Sequence, residues 1–255
     1  MSETAPMAGT LGIVEVGTTF MGPLSLGLVS RRLGGKPLLE WVVRRVTESL
    51  LLDRVIVVVD PAMEDTVRTL TPQDISVFVS RQPDMLGRFA AAAREYDVHQ
   101  LVRVGLDNPF VDPALIDRLV CTANTHPGCD YIGYYSHDGQ PAAQSRLGVF
   151  AEWARADAIF KAEALANIDV DRQQATRYLY SHPELFQLRL IPVPAQLDRQ
   201  DVRLSIGGEE DWDNAQLILD ALGPENLAWQ KIAGLLDSQP RIRHHMAVLN
   251  GVGEE

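Results

Sequence analysis

The residues best placed to do chemistry follow an apolar segment near the middle of the chain. Residues 101–109 read L-V-R-V-G-L-D-N-P, so Asp107 stands where a strand is expected to end. Open α/β sheets bind their ligands at the carboxyl ends of strands. A carboxylate there can hold Mg²⁺ against a nucleotide phosphate, because hard cations take oxygen ligands. The segment therefore predicts a nucleotide site, and the alternative is an Asx turn that caps the strand before Pro109.

The elements that must position this carboxylate follow an α/β pattern. Residues 54–60, R-V-I-V-V-V-D, form a β-branched run typical of a strand buried on both faces. Residues 37–52 carry an apolar face at helical spacing and begin with proline. The alternation predicts an α/β fold with a mostly parallel central sheet and helices on both faces. Further strands are predicted at 11–16, 75–79, 100–104, 130–135, 147–153, 186–193 and 202–206.

One domain is predicted, because no Gly/Ser linker or low-complexity block divides the chain. We place it at residues 10–240, with a nucleotide-binding half at 10–125 and an acceptor or dimerisation half at 126–240. Residues 241–255 are predicted to form a C-terminal tail, which would contain His244 and His245.

Composition narrows the function classes. The 255 residues carry a formal net charge of −11, which offers no general attraction to nucleic acid or anionic membranes. No apolar run approaches the roughly 20 residues that a membrane span needs. The first nine residues lack the charged and apolar regions of a secretory signal, and two cysteines are too few for a disulfide framework. A cytoplasmic protein with reduced thiols is therefore expected.

Four segments, taken in order, resemble the cytidylyltransferase family of polysaccharide biosynthesis. This family includes the spore-coat polysaccharide type and is related to the CMP-sialic acid and CMP-KDO synthetases. The resemblance spans about residues 11 to 240. The segments are G-G-K-P-L-L-E-W-V-V-R-R-V (34–46), D-M-L-G-R-F (84–89), V-R-V-G-L-D-N-P-F-V-D-P-A-L-I-D (102–117) and Y-L-Y-S-H-P-E-L-F (178–186).

The resemblance implies a GT-A/Rossmann-like nucleotidyltransferase fold and transfer of CMP from CTP to a sugar hydroxyl, with release of pyrophosphate. It implies Mg²⁺ as cofactor, CTP and a sugar as partners, and a homodimer formed through the second half. Asp107 would be both a catalytic residue and the metal ligand. The other implied site residues are Arg88 and Arg103 (catalytic), Val16, Gly17, Thr18, Thr19 and Lys36 (nucleotide-binding), and Glu152 and Tyr178 (substrate-binding).

Several of these residues also have structural interpretations. Arg103 adjoins a strand, where a buried arginine normally needs a carboxylate partner. Arg88 is as well explained by a solvated or interface arginine, and Glu152 by an exposed strand end. Lys36 follows Gly34 in a turn that can simply position a helix.

The chain departs from the family pattern at its phosphate-binding positions. Two arginines and a lysine of the family fall on Thr19, Leu24 and Leu28. Losing three charge-assisted hydrogen bonds to phosphate would remove on the order of 5–9 kcal/mol if they were additive. Arg31 and Arg32 are candidate replacements. The family's second metal-binding aspartate falls on Gly207, with Glu209, Glu210 and Asp211 as the acids that could replace it.

Three functions follow from these features. The first is a cytidylyltransferase that uses Mg²⁺ at Asp107. The second is a catalytically inactive paralogue that binds a sugar, a nucleotide or a protein, which the lost cations and Gly207 favour. The third, a glycosyltransferase on the same fold, ranks last because residues 106–109, L-D-N-P, supply one acid where a D-x-D turn needs two.

Overall fold

Seven strands form the central sheet of the computed structural model, which describes residues 9–17 and 25–252. Their order is β5-β4-β1-β6-β8-β7-β9, and all neighbours are parallel except where β8 pairs with β6 and with β7. Strands β2 and β3 form a separate hairpin. The strands are β1 Thr10–Glu15, β2 Arg32–Leu33, β3 Lys36–Pro37, β4 Arg54–Val59, β5 Ser76–Val79, β6 Gln100–Gly105, β7 Tyr131–Tyr135, β8 Glu152–Arg155 and β9 Leu188–Pro192.

Helices cover both faces of this sheet, as predicted. Strand β1 is fully buried because its side chains feed two separate apolar cores, one on each face. Helices α2, α5, α9 and α10 contribute to one core, and α4, α6 and α8 to the other. The helices are α1 Ser25–Ser30, α2 Leu38–Thr47, α3 Glu64–Leu70, α4 Met85–Glu95, α5 Pro113–Thr125, α6 Ala156–Leu165, α7 Asp169–Arg172, α8 Arg177–Ser181, α9 Glu209–Leu222, α10 Trp229–Ser238 and α11 Pro240–Leu249.

Residues 202–206 were expected to form a strand but do not join the sheet. Their amides bridge separate loops: Leu204 and Ser205 donate to the carbonyl of Arg146, and Ile206 donates to the carbonyl of Asp107 at 2.8 Å. The predicted strand at 147–153 is likewise displaced to β8 at Glu152–Arg155. Apolar residues in this region are buried by packing between loops, which an alternating or apolar pattern alone cannot distinguish from a strand.

The segment predicted as a tail begins with a helix, α11. Met246 is fully buried in the core that α9 and α10 share, and Ile242, one turn earlier, packs against the same core. Beyond the helix, the Asn250 side chain donates to the carbonyls of Gln200 and Val202. The apolar pair at i and i+4 was the signal for this packing.

Among residues 9–17 and 25–252, no helix is both long enough and apolar enough to span a bilayer.

Candidate active site at the edge of strands β1 and β6

The carboxyl ends of β1 and β6 lie side by side at the centre of the sheet. Glu15 pairs in register with Gly105, so the residues that follow each strand emerge at the same edge. The chain order reverses here, with β4 on one side of β1 and β6 on the other, and such switch points open a ligand crevice. The Val16 amide donates to the Val58 carbonyl at 3.0 Å, which extends the pairing with β4 and keeps Val16 at this edge. Gly17 follows it and lies close to the Met85 side chain. Thr18 and Thr19 lie outside the described residues.

The Asp107 carboxylate lies at this edge, half-buried and without an ion-pair partner among the described residues. The turn after β6 is closed by backbone hydrogen bonds, from the Asn108 amide to Gly105 and from Ile206 to the Asp107 carbonyl. The Asp107 Oδ1 atom lies where a Cβ at Gly105 would be, so only glycine leaves room for it. In the described part of the chain, no other residue donates a hydrogen bond to this carboxylate. Burial raises the pKa of Asp107, opposed by the charges of Arg103 and Arg146.

A buried ionic cluster lies beneath Asp107. The Arg103 guanidinium contacts the carboxylates of both Glu15 and Glu152, the latter at 2.6 Å. The Tyr131 hydroxyl donates to the other oxygen of Glu152 at 2.7 Å. Burial alone would lower the pKa of Arg103, but the two carboxylates hold it well above its usual range. Burial raises the pKa of Glu15 more than the neighbouring Arg103 lowers it.

This cluster confirms the ion-pair interpretation of Arg103 and contradicts the exposed interpretation of Glu152, which is 3% exposed. A contact of either residue with a ligand stays a prediction. Both line a narrow cleft that also contains Asp107 and Asn108. The Glu15 Oε2 and Arg103 Nε atoms are buried and have no hydrogen-bond partner among the described residues. Such orphaned groups are rare in native structures, and they mark a place where water or a ligand can complete the network.

Tyr178 is placed in the apolar core. Its ring stacks on His182, with centroids 4.0 Å apart, and meets Phe186 edge-on. Tyr180, two residues further, is the tyrosine that faces the ionic cluster: its ring is 5.7 Å from that of Tyr131. Burial and then Glu152 raise the pKa of Tyr180 to about 12. The sequence Y-L-Y offered both tyrosines, and only the tertiary structure selects between them.

Arg88 lies at the same sheet edge, next to β4. Helix α4 begins at the capping residue Asp84, whose Oδ1 accepts the Gly87 amide at 2.8 Å. From the first turn, Arg88 reaches Asp60 at 3.4 Å and donates to the Gln82 carbonyl at 3.0 Å. The Arg88 side chain is therefore engaged by protein groups at its present position, and its contact with a ligand stays a prediction.

Lys36 lies in the β2–β3 hairpin. Gly34 and Gly35 both have positive φ, at 57° and 82°, which is the backbone of a two-residue hairpin turn. The Lys36 side chain is exposed and forms no hydrogen bond or ion pair with any residue that the structure describes. The Leu38 amide donates to the Arg31 carbonyl, so the hairpin fixes the start of α2.

The acids that could replace the second metal ligand are largely committed elsewhere. Asp211 accepts two hydrogen bonds from Arg203 and the Gly207 amide at 2.8 Å. Glu209 pairs with Arg31 at 2.6 Å. All three acids lie in the first turn of α9, where they favour the helix dipole.

The two candidate replacement cations are engaged as well. Arg31 stacks over the Trp212 ring at 4.2 Å in addition to its ion pair with Glu209. Arg32 donates to the Gly35 carbonyl across its own hairpin. Neither points its charge at Asp107 in this structure.

Arg146 is the cation that the sequence analysis missed. A Cβ built on Gly207 would lie 2.9 Å from its Nη1 and 3.4 Å from its Cζ, so the guanidinium covers Gly207. Its charge also stabilises the Asp107 carboxylate. An arginine in the polar stretch G-Q-P-A-A-Q-S-R-L-G gave no local signal of this position.

Gly148 fixes the segment that carries Gly207. It has φ +63°, and a Cβ there would overlap the backbone at Leu204 and Ser205. We expect Gly148→Ala to lower the free energy of unfolding by about 2–5 kcal/mol, from left-handed backbone strain plus overlap. Gly139→Ala is the matched control, because Gly139 has φ +81° with open space around it and should lose only about 1–2 kcal/mol. Urea unfolding measures both values, and equal losses would contradict the close packing.

The family of the chain follows from its sequence. Residues 29–206 match the model of the MobA-like NTP transferase domain. Because this match covers more than half of the chain, the protein belongs to that family. It is also 25% identical over 222 residues to the spore coat polysaccharide biosynthesis protein SpsF of Bacillus subtilis, covering 84% of this chain and 89% of SpsF.

Solved structures share the fold. A cytidylyltransferase from Leptospira borgpetersenii superposes with a TM-score of 0.79 at 19% identity, covering 92% of this chain and 96% of its own. A CMP:2-keto-3-deoxy-manno-octonic acid synthetase complexed with CTP gives 0.62 at 12% identity, covering 84% and 99%. Rv0371c from Mycobacterium tuberculosis, solved with manganese, gives 0.55 at 16%, covering 82% and 98%. These findings confirm the predicted family resemblance and fold class.

Proposed function

We propose that this protein is a cytidylyltransferase that moves CMP from CTP to a sugar hydroxyl and releases pyrophosphate. The observation that carries the proposal is the Asp107 carboxylate, which lies at the β1–β6 edge without an ion-pair partner among the described residues and within range of the Arg146 charge. The similarity to a CTP-bound synthetase supports CTP as the donor, and the similarity to a polysaccharide biosynthesis protein supports a sugar as the acceptor.

The chemistry needs positioning and charge more than covalent help from the protein. The sugar oxygen attacks the α-phosphorus of CTP, and the bond from that phosphorus to the bridging oxygen breaks as pyrophosphate leaves. The hydroxyl proton must be accepted by a base, and Asp107 suits this role because, unlike Glu152 in the same cleft, it forms no ion pair with a described residue. Val16 and Gly17 would contact the nucleotide, and Glu152 would face the acceptor across the cleft.

The residues at this site supply few ligands for the predicted divalent metal. Within the described residues, no group of three or more His, Cys, Asp or Glu side chains could hold a metal ion. Gly207 brings no carboxylate, and Asp211 beside it is bound twice by Arg203. Mg²⁺ at Asp107 therefore stays a prediction with one protein ligand, and we assign no step of the reaction to it.

A binding protein without transferase activity is the second candidate. The family's three phosphate-binding cations are replaced by Thr19, Leu24 and Leu28, which favours this candidate. Arg31 and Arg32 do not replace them, because they are held by Glu209 and Gly35. Such a protein would still bind a nucleotide or a sugar at the β1–β6 edge, since the strand ends and Asp107 are intact.

A pyrophosphate assay separates the two. The full chain is incubated with CTP and a panel of sugars, in Mg²⁺ and in EDTA, with UTP and ATP as base controls. We expect sugar-dependent pyrophosphate release with CTP. CTP should also raise the melting temperature, because a hundredfold excess over Kd adds about 2.7 kcal/mol to the free energy of unfolding. A shift without release would support the binding protein. Neither shift nor release with any nucleotide would contradict the proposed function.

A further inference from the structure

We propose that the Arg146 guanidinium takes the place of a divalent cation beside Asp107, so that the protein binds nucleotide phosphate without added metal. This inference deepens the proposed function and rests on it for the identity of the nucleotide. A metal held by two carboxylates would need an acid at residue 207, whereas this site has Asp107 and a glycine there.

Geometry places the guanidinium where a carboxylate at residue 207 would lie. At Gly207, the position of the family's second aspartate, a Cβ would point at Arg146 Nη1, 2.9 Å away. A carboxylate built outward from that Cβ would run onto the guanidinium. The glycine and the arginine thus form one arrangement, in which the guanidinium occupies the space that a side chain at residue 207 would need and its charge acts on Asp107.

The backbone around Arg146 holds this arrangement in place. The carbonyl of Arg146 accepts the Leu204 amide at 2.7 Å and the Ser205 amide at 3.1 Å. The Ile206 amide, next in the chain, donates to the Asp107 carbonyl. These bonds tie the loop of Arg146, the segment leading to Gly207 and the end of β6 to one another.

Arg146 is available to a phosphate because its charge is unpaired among the described residues. No carboxylate of the described residues lies within ion-pair distance of Arg146, whereas Arg31, Arg88 and Arg103 are all paired. Arg146 is exposed and lines a groove next to the cleft of Asp107, since its chain neighbour Ser145 lines both. Arginine suits this role because its planar fork binds phosphate through two parallel hydrogen bonds.

Calorimetric titration with CTP in EDTA and in Mg²⁺ tests the inference. We expect wild-type protein to bind CTP in EDTA within about threefold of its affinity in Mg²⁺, because a charged protein donor replaces the ion. Arg146→Gln should weaken binding in EDTA by about 10- to 100-fold, the effect of losing hydrogen bonds to a charged group. Because Arg146 is exposed, this variant should unfold at the wild-type temperature.

Arg199→Gln is the matched control. Arg199 lies in the same groove as Arg146, but it is paired with Asp201 and Asp237. Its loss should change CTP affinity by less than about twofold, as for other solvent-accessible charges. An equal effect of the two substitutions would mean that only net charge matters, and would overturn the inference.

Two further probes separate this inference from the proposed function. Manganese alone, followed by its paramagnetic resonance signal, should stay free with wild-type protein and bind to an Arg146→Gln/Gly207→Asp double variant. Inorganic tripolyphosphate in EDTA should bind wild-type protein and lose affinity in Arg146→Gln. Tripolyphosphate binding without CTP binding would defeat the proposed function and support the inference. CTP binding that requires Mg²⁺ and is unchanged in Arg146→Gln would support the proposed function and overturn the inference. No binding of CTP or tripolyphosphate in either buffer would overturn the proposed function and the inference alike.

Discussion

Replacing Arg103 with methionine is expected to lower the free energy of unfolding at pH 7 by about 3–5 kcal/mol, the usual effect of breaking a buried ion pair from one side. Arg103 is the cation that both Glu15 and Glu152 contact, and all three side chains are buried. Methionine fills a similar volume, so the loss would come from two uncompensated carboxylates and not from a cavity.

The same substitution should make stability depend more steeply on pH. The pKa of Glu15 is already raised in the folded protein, so its contribution to stability is present below its unfolded value and lost as pH rises through the folded value. Without Arg103, the pKa of Glu15 should rise further, because the nearby cation is gone. The destabilisation should therefore be larger at pH 8 than at pH 5.5.

Urea unfolding at the two pH values measures the effect. Arg68→Met is the control, because Arg68 forms an exposed i,i+4 pair with Glu64 and should lose no more than about 0.5 kcal/mol at either pH. Adding Glu15→Gln and Glu152→Gln to Arg103→Met should recover part of the loss. A change below about 1 kcal/mol in Arg103→Met at pH 8 would show that the cluster is not buried as described.

Local patterns predicted the parts of the site that depend on one segment. The position of Asp107 at a strand end followed from the apolar run before it and from the Asn and Pro after it. Val16 and Gly17 were implied by the family resemblance, and the in-register ends of β1 and β6 bring them to the same edge as Asp107. The start of α4 is also set locally, because the Asp84 side chain caps the helix by accepting the Gly87 amide. Each of these signals lies within a few residues of the position that it predicts.

Contacts between distant segments were not predicted. Arg146 contacts Gly207, which is about sixty residues later in the chain. A polar loop has no periodicity from which this contact could be predicted. Glu15 was overlooked as an acid within an apolar strand, although a buried charge of that kind requires a partner such as Arg103. Tyr180 and Tyr178 differ only in the face of a short helix that they occupy.

Conversion of Asp107 to asparagine is expected to have the largest effect on turnover. In the pyrophosphate assay, Asp107→Asn should lower kcat by about 100- to 10,000-fold, the range for loss of a general base. Stability should not fall, because in the described part of the chain the carboxylate accepts no hydrogen bond from another residue and its burial raises its pKa. The amide keeps the shape of the side chain, so the turn after β6 should persist.

Binding and turnover should separate in this variant, and that separation distinguishes the two roles considered for Asp107. If Arg146 holds the phosphate, removing the adjacent negative charge leaves CTP affinity in EDTA equal or tighter, because repulsion of the phosphate falls. If Asp107 instead anchors a metal, Asp107→Asn weakens CTP binding in Mg²⁺ in parallel with kcat. Glu210→Gln, which removes an exposed acid near Gly207, should leave both quantities within about twofold, since exposed charges are screened. Pyrophosphate release that survives Asp107→Asn would remove Asp107 from the reaction altogether, and the chemistry would then have to be sought elsewhere along the β1–β6 edge.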